Sequence, residues 1–144
     1  MNAEKLPGKW FEKAKEDHDI AVFIQRMHPV PIGPICYHCE QAAEKILKGF
    51  LALCEIEPPK THDLVLLCKM CEKVDHHFEQ LAEPCFRLTP YGVNVRYPAD
   101  EELEETDMRK ALSDCEKVFL LVEQVLAQDE QEQKEAPGMA PISL

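Results

Sequence analysis

The segment from Ile35 to Leu53 constrains the fold of this chain more than any other, because it carries an unbroken helical pattern of apolar residues. Apolar side chains recur along it at alternating spacings of three and four residues: Cys36, Cys39, Ala43, Ile46, Phe50 and Leu53. That spacing places them on one stripe of an α-helix. A second row through Ala42 and Gly49 widens the stripe. The pattern therefore predicts a central helix that contacts neighbours on more than one side.

Further helices are predicted on both sides of this central one. The first runs from Leu6 to Met27 and is stopped by the proline-rich run 28–34, since prolines cannot continue a helix. Another is predicted after the break at residues 58–60, with Thr61 as its N-cap. The last is predicted to follow an acidic loop, residues 100–107.

The predicted fold is all-α, an antiparallel up-and-down bundle of four or five helices. The segments between the proline and glycine positions favour helix formers, and β-branched runs are short. A chain of 144 residues can bury a core without disulfide or metal support. We expect the bundle to span residues 1–127, and a disordered acidic and polar tail to occupy residues 128–144.

Charge and hydropathy restrict the kinds of partner. The formal net charge of −11 argues against a broad DNA-binding face, because affinity for DNA rests on Lys and Arg neutralising phosphates. A local basic pocket for one small phosphate ligand is compatible with that charge. The sequence has no run of about 20 apolar residues and no secretory leader. We therefore expect a cytoplasmic protein that does not contact a membrane and whose seven cysteines are reduced.

Two CxxC pairs, residues 36–39 and 68–71, raise the question of a zinc site, to which His62 or Cys85 could contribute. Both pairs lie in predicted helices and in phase with their apolar stripes, so we interpret the cysteines as core residues. The adjacent pair His76-His77 has no third ligand at a recognisable spacing and is interpreted as a solvated bend. The sequence thus predicts no metal site and no cofactor.

Several polar residues are candidates for function. Asp17 is in phase with the apolar face of the first helix, so it lies either at the solvated edge or inside with a cation, for which Lys45 and Arg96 are the candidates. Gln41 lies one helical turn from Lys45, and the two could bind a phosphate or a base edge. Glu44 and Lys48 form an i, i+4 pair, and we interpret them as part of a solvated helix flank, where such a pair is worth about 0.3–0.5 kcal/mol.

Four stretches together resemble the HEPN family of helical domains: WFEKAKED at 10–17, EQAAEKILK at 40–48, THDL at 61–64 and RYP at 96–98. Their order and spacing hold from about residue 10 to residue 126. The resemblance implies a helical bundle that is usually a homodimer. It implies one of two functions: a metal-independent RNase, often a toxin of a toxin–antitoxin pair, or a nucleotide-binding partner of a separately encoded minimal nucleotidyltransferase.

The RNases of the family carry an R-x4-6-H motif, which this chain lacks. Its last histidine is His77, so three of its arginines, Arg87, Arg96 and Arg109, have no histidine after them. Arg26 has one histidine too close, His28, and the next too far, His38. We therefore expect a non-catalytic member of the family.

The resemblance and the residue chemistry together place a nucleotide or phosphate ligand near the first, central and last helices. Arg96 and Lys45 are expected to contact phosphate, and Gln41 to read a polar edge. Asp17 would orient one of these cations, Tyr97 would stack on a base, and His62 would donate a hydrogen bond. Three alternatives stay open: a ribonuclease with another constellation, a purely structural dimerisation module, and a zinc-dependent bundle.

Overall fold

A computed structural model describes residues 5–93 and 102–135, and all regular structure in these ranges is helical. The helices are α1 (Lys5–Phe23), α2 (Ile32–Leu53), α3 (Leu64–Val74), α4 (Ala82–Leu88), α5 (Pro90–Val93) and α6 (Glu105–Glu135). Short 3-10 helices at Ile24–Arg26 and His76–Leu81 follow α1 and α3. Four of the helices are long and pack together, which confirms the predicted all-α bundle.

The helices α1 and α2 lie against each other in opposite directions. Phe11, near the start of α1, contacts Gly49, near the end of α2, while Asp17 binds Lys45 and His38 farther along the pair. A Cβ atom on Gly49 would lie 2.8 Å from Cε1 of Phe11. Glycine is therefore needed here because the two helices approach so closely.

The centre of the bundle is α2, as its apolar pattern predicts. Its stripe residues are buried except Leu53, which lies exposed at the end of the helix. The ring of Phe50 packs on that of Phe78, with centroids 4.7 Å apart. Because α2 is covered by α1, α3 and α6, the remaining polar side chains of the helix are forced into the gaps between these neighbours.

The N-cap of α3 is Asp63, and the prediction of Thr61 is wrong. The Asp63 carboxylate accepts hydrogen bonds from the backbone N–H groups of Val65 at 2.9 Å and Leu66 at 3.4 Å. The Thr61 hydroxyl instead accepts from the N–H of Asp63 at 3.1 Å, one step before the helix. Thr and Asp are both good caps, and only the position of the first helical turn decides between them.

Six of the seven cysteines are buried, which confirms their interpretation as core residues: Cys36, Cys39, Cys68, Cys71, Cys85 and Cys115. A polar contact ties the smaller helices to this core. The guanidinium of Arg87 on α4 donates two hydrogen bonds of 2.9 Å to the fully buried carboxylate of Asp114 on α6. Such a bidentate pair satisfies both oxygens of a buried charge.

The last helix extends farther than the sequence indicated. The tail was expected to begin at residue 128, but α6 continues to Glu135. The Gln, Glu and Lys residues there are good helix formers, and extending an existing helix needs no new nucleus. None of the described helices combines the length and the apolar character that crossing a membrane requires.

Candidate functional site

The polar side of α2 carries a row of ionisable and amide side chains, which we call the α2 polar face: His38, Glu40, Gln41, Glu44, Lys45 and Lys48. Hydrogen bonds and ion pairs divide these side chains into three small groups. One group faces α1, one faces residue 62, and one faces α5. The QAAEK segment within it places five consecutive residues on different sides of the helix, so each group faces a different neighbour.

The first group joins α1 to α2 through Asp17. One carboxylate oxygen of Asp17 binds the ammonium of Lys45, and the other lies 2.9 Å from Nδ1 of His38. Only 10 % of the Asp17 side chain is exposed, against 24 % for Lys45 and 25 % for His38. Asp17 thus turns inward and finds a cation, as a buried carboxylate must. It holds one cation and one imidazole side by side at the solvent edge.

The second group contains Glu44, Lys48 and His62. The ammonium of Lys48 donates to one oxygen of Glu44 at 3.1 Å, and the other oxygen lies 2.8 Å from Nδ1 of His62. The side chains of Lys48 and Glu44 are only 8 % and 6 % exposed. The ammonium also lies 5.6 Å from the ring centroid of Trp10, a cation–π contact.

The interpretation of Glu44 and Lys48 as a solvated flank is therefore wrong. Trp10 of α1 and the His62 side chain lie over this part of α2 and exclude water from the pair. Sequence periodicity places a residue on a helix face but does not say what covers that face. Here the covering residues come from two distant parts of the chain.

The third group centres on Glu40, whose side chain is completely buried. One carboxyl oxygen accepts a 2.8 Å hydrogen bond from the amide of Gln41, and Oε2 has no partner among the described residues. A Cβ atom on Gly92 of α5 would overlap this carboxyl group. Burial, together with the negative charge of Glu44, raises the pKa of Glu40 to about 8. At neutral pH this carboxyl is mostly protonated.

The structure thus brings together some of the predicted site residues and separates others. Asp17 and Lys45 are in direct contact, whereas Gln41 bonds Glu40, and His62 bonds Glu44. The predictions for residues 96 and 97 fall outside the described ranges.

Sequence reasoning missed His38 and Glu40 as members of the site. A signal for the histidine was present, because His38, Gln41 and Lys45 are spaced by three and four residues and so share a helix face. Nothing comparable marked Glu40, since its position in the pattern is equally compatible with a solvated flank.

The arrangement at Asp17 suits an anionic ligand. A Lys ammonium has three N–H donors, and one is used by Asp17. With Nδ1 of His38 held by the same carboxylate, its Nε2 atom remains as the second ring position that a ligand can reach. The described residues thus offer one ammonium and one imidazole close to each other.

The family comparison identifies this helical arrangement. A family model described as HEPN domain matches residues 8–125, which include all of α2 to α5 and most of α1 and α6. Comparisons with curated proteins and with solved structures returned no match.

Proposed function

This chain belongs to the HEPN domain family, a family of nucleotide-binding and RNase-type proteins, and we propose that it is a non-catalytic member that binds a nucleotide. The observation that carries the proposal is the shared use of Asp17 by Lys45 and His38 at the edge of α2. A carboxylate that is almost buried fixes both donors in place before a ligand arrives. Preorganised donors bind a phosphate more tightly, because less side-chain freedom is lost on binding.

In this proposal the phosphate lies against Lys45 and His38. The base end of the ligand extends along the α2 polar face, where Gln41 offers an amide and the protonated Glu40 lies beside it. Arg96, Tyr97 and His62 keep the roles that the sequence suggests: a second phosphate contact, a stacking surface and a hydrogen-bond donor. Since only one of these three lies in the described ranges, the Lys45 end of the site carries the argument.

We propose further that the protein is a homodimer and that it supplies bound nucleotide to a minimal nucleotidyltransferase made as a separate chain. A groove of about 420 Å³ between α1 and α6 supports the dimer, because apolar side chains such as Phe11, Phe119 and Leu126 line it. Leu120, at the same groove, is more than half exposed. A second copy of the chain would cover this surface.

Calorimetric titration with ATP, GTP and CMP tests the binding. We expect heat of binding with at least one of them, and at least a tenfold weaker affinity for Lys45→Gln. The matched control is Lys69→Gln, which removes the same charge from an exposed position on α3. Absence of heat with all three nucleotides at millimolar concentration, or equal losses in both variants, would refute the proposed site.

One observation favours a second candidate function, a ribonuclease. An aspartate that holds Nδ1 of a histidine is the arrangement by which hydrolases and transferases orient a general base, and Lys45 beside it could stabilise phosphate charge. This candidate predicts RNA cleavage by the purified protein without added metal. It also predicts loss of that cleavage in His38→Ala. The non-catalytic proposal predicts no cleavage by either protein.

A further inference from the structure

The junction between α3 and the following 3-10 helix gathers three potential metal ligands. Oδ1 of Asp75 accepts the backbone N–H of His77 at 2.9 Å and lies 2.7 Å from Nδ1 of the same residue. The rings of His76 and His77 are tilted relative to each other, with centroids 4.3 Å apart and planes inclined by 30°. One ligand atom from each of Asp75, His76 and His77 lies within 4.8 Å of the other two.

The C-terminal half of α6 forms the opposite wall of this junction and adds two carboxylates, Asp129 and Glu132. The groove between the two walls has a volume of about 310 Å³. Its lining residues are Val74, Asp75, His76, His77, Val125, Gln128, Asp129 and Glu132. Three of them are acidic, two are histidines, and none is Lys or Arg. The described lining residues therefore concentrate negative charge and include no Lys or Arg side chain.

The Asp75 carboxylate shows how the histidines are oriented. Both of its hydrogen bonds to His77 use Oδ1, which leaves Oδ2 for another partner. With Nδ1 of His77 held in this way, Nε2 is the nitrogen that faces a ligand. A carboxylate–histidine pair of this kind is the usual second shell of a metal-bound imidazole.

We propose that this groove binds a divalent transition-metal ion such as Zn²⁺ or Ni²⁺. His76 and His77 supply imidazole nitrogens, and Asp129 or Glu132 supplies a carboxylate oxygen across the groove. Asp75 positions His77. Imidazole combined with carboxylate is a donor set that suits Zn²⁺ and Ni²⁺, whereas Mg²⁺ and Ca²⁺ prefer oxygen ligands alone.

This proposal differs from the interpretation of the histidine pair as a solvated bend. The sequence offered no third ligand at a recognisable spacing, because the carboxylates proposed to bind the metal beside the histidines come from a helix far along the chain. They also come from the part of α6 beyond residue 127, which was expected to be a disordered tail. Only the folded arrangement places these carboxylates opposite the histidines.

Titration of chelator-treated protein with zinc chloride tests the proposal. We expect one Zn²⁺ per chain, and at least a tenfold loss of affinity in the His76→Ala, His77→Ala double variant. The double variant Asp129→Asn, Glu132→Gln should weaken Zn²⁺ binding several-fold, although both histidines are retained. Exposed residues that do not line the groove provide the controls His28→Ala and Glu130→Gln, which should bind as the unmodified protein does.

A further readout separates this site from binding by thiols. Cobalt bound here should lack the intense near-ultraviolet charge-transfer band that a thiolate ligand gives. Zinc binding that persists unchanged in the double histidine variant, a thiolate band with cobalt, or no zinc binding at micromolar concentration would each overturn the proposal.

Discussion

The buried carboxyl group of Glu40 lies directly against Gly92, so closely that a Cβ atom on the glycine would overlap it. This contact joins the central helix α2 to the short helix α5. The fit depends on the absence of a side chain at residue 92. The missing side chain on Gly92 leaves room for a complete carboxyl group in the core, since protein interiors are otherwise close-packed.

Gly92→Ala should therefore destabilise the protein by roughly 1–3 kcal/mol, as overpacking of a filled site does. The measurement is the midpoint of chemical denaturation. Gly8→Ala is the matched control, because a Cβ atom there meets no atom within 4 Å and alanine favours the helix. If the two variants are equally stable, the contact between Glu40 and Gly92 is looser than described.

The stability of the protein should depend on pH through Glu40. Its pKa is about 8 in the folded chain, raised by burial from an ordinary value of 4.5. Below about pH 4.5 the carboxyl is protonated in both states, so the favourable contribution of this group is complete. As pH rises toward 8 the unfolded chain loses its proton first, and stability falls by an amount on the order of 3 kcal/mol.

Glu40→Gln replaces the carboxyl group with an amide that does not titrate. It should therefore flatten the dependence of the free energy of unfolding on pH between pH 5 and pH 8. The variant should also be more stable than the unmodified protein at pH 8. Glu79→Gln alters an exposed carboxyl and should leave the slope in place. A slope that survives Glu40→Gln would have to come from another group.

Lys48→Ala should cost about 3 kcal/mol, because it leaves the buried Glu44 without its ammonium partner. This loss of stability is several-fold larger than the contribution of an exposed i, i+4 pair, which is about 0.3–0.5 kcal/mol. Lys69→Ala on the exposed side of α3 is the comparison, with an expected change of less than about 0.5 kcal/mol. Similar free energies of unfolding for both variants would mean that water reaches the Glu44–Lys48 pair.

Phe50→Ala should cost roughly 3–5 kcal/mol, since it empties a site in which the ring packs against Phe78. Phe86→Ala serves as the control, because the ring of Phe86 is 72 % exposed and its removal creates no cavity. Both are measured by denaturation at constant pH. The prediction fails if the loss for Phe50 is below about 1 kcal/mol.

Removing the side chain that caps the N-terminus of α3 should measurably lower the free energy of unfolding. Asp63→Ala removes the acceptor for two backbone N–H groups and should cost about 1 kcal/mol. Thr61→Ala should cost less, because its hydroxyl accepts from Asp63 before the helix begins. The opposite order of the two losses would restore Thr61 as the cap.

The sequence was sufficient for the features that depend on periodicity. The stripe of α2 and the burial of the cysteines follow from residues spaced by three and four. The inward turn of Asp17 toward Lys45 was one of two outcomes left open, and the structure selects it. These features are local in the chain, or they follow from the cost of burying an unpaired charge.

The features that the sequence did not predict depend on contacts between distant segments. Glu40 and Lys48 occupy positions typical of a solvated flank, and only the helices that cover them make them buried. The groove at His76 requires α6 to pass beside it, which no pattern in the histidine pair indicates. Such contacts arise from the packing of whole helices, which residue spacing within one helix does not encode.

The burial of six cysteines has a practical consequence for measuring this protein. In the folded chain a thiol reagent has ready access only to Cys54, which is partly exposed at the end of α2. Each of the other thiols becomes reactive only when the helix around it opens. The rate at which a mild alkylating reagent modifies them therefore records opening of α2, α3, α4 and α6 separately. The protein carries its own set of reporters for local unfolding, with at least one buried thiol on each of α2, α3, α4 and α6.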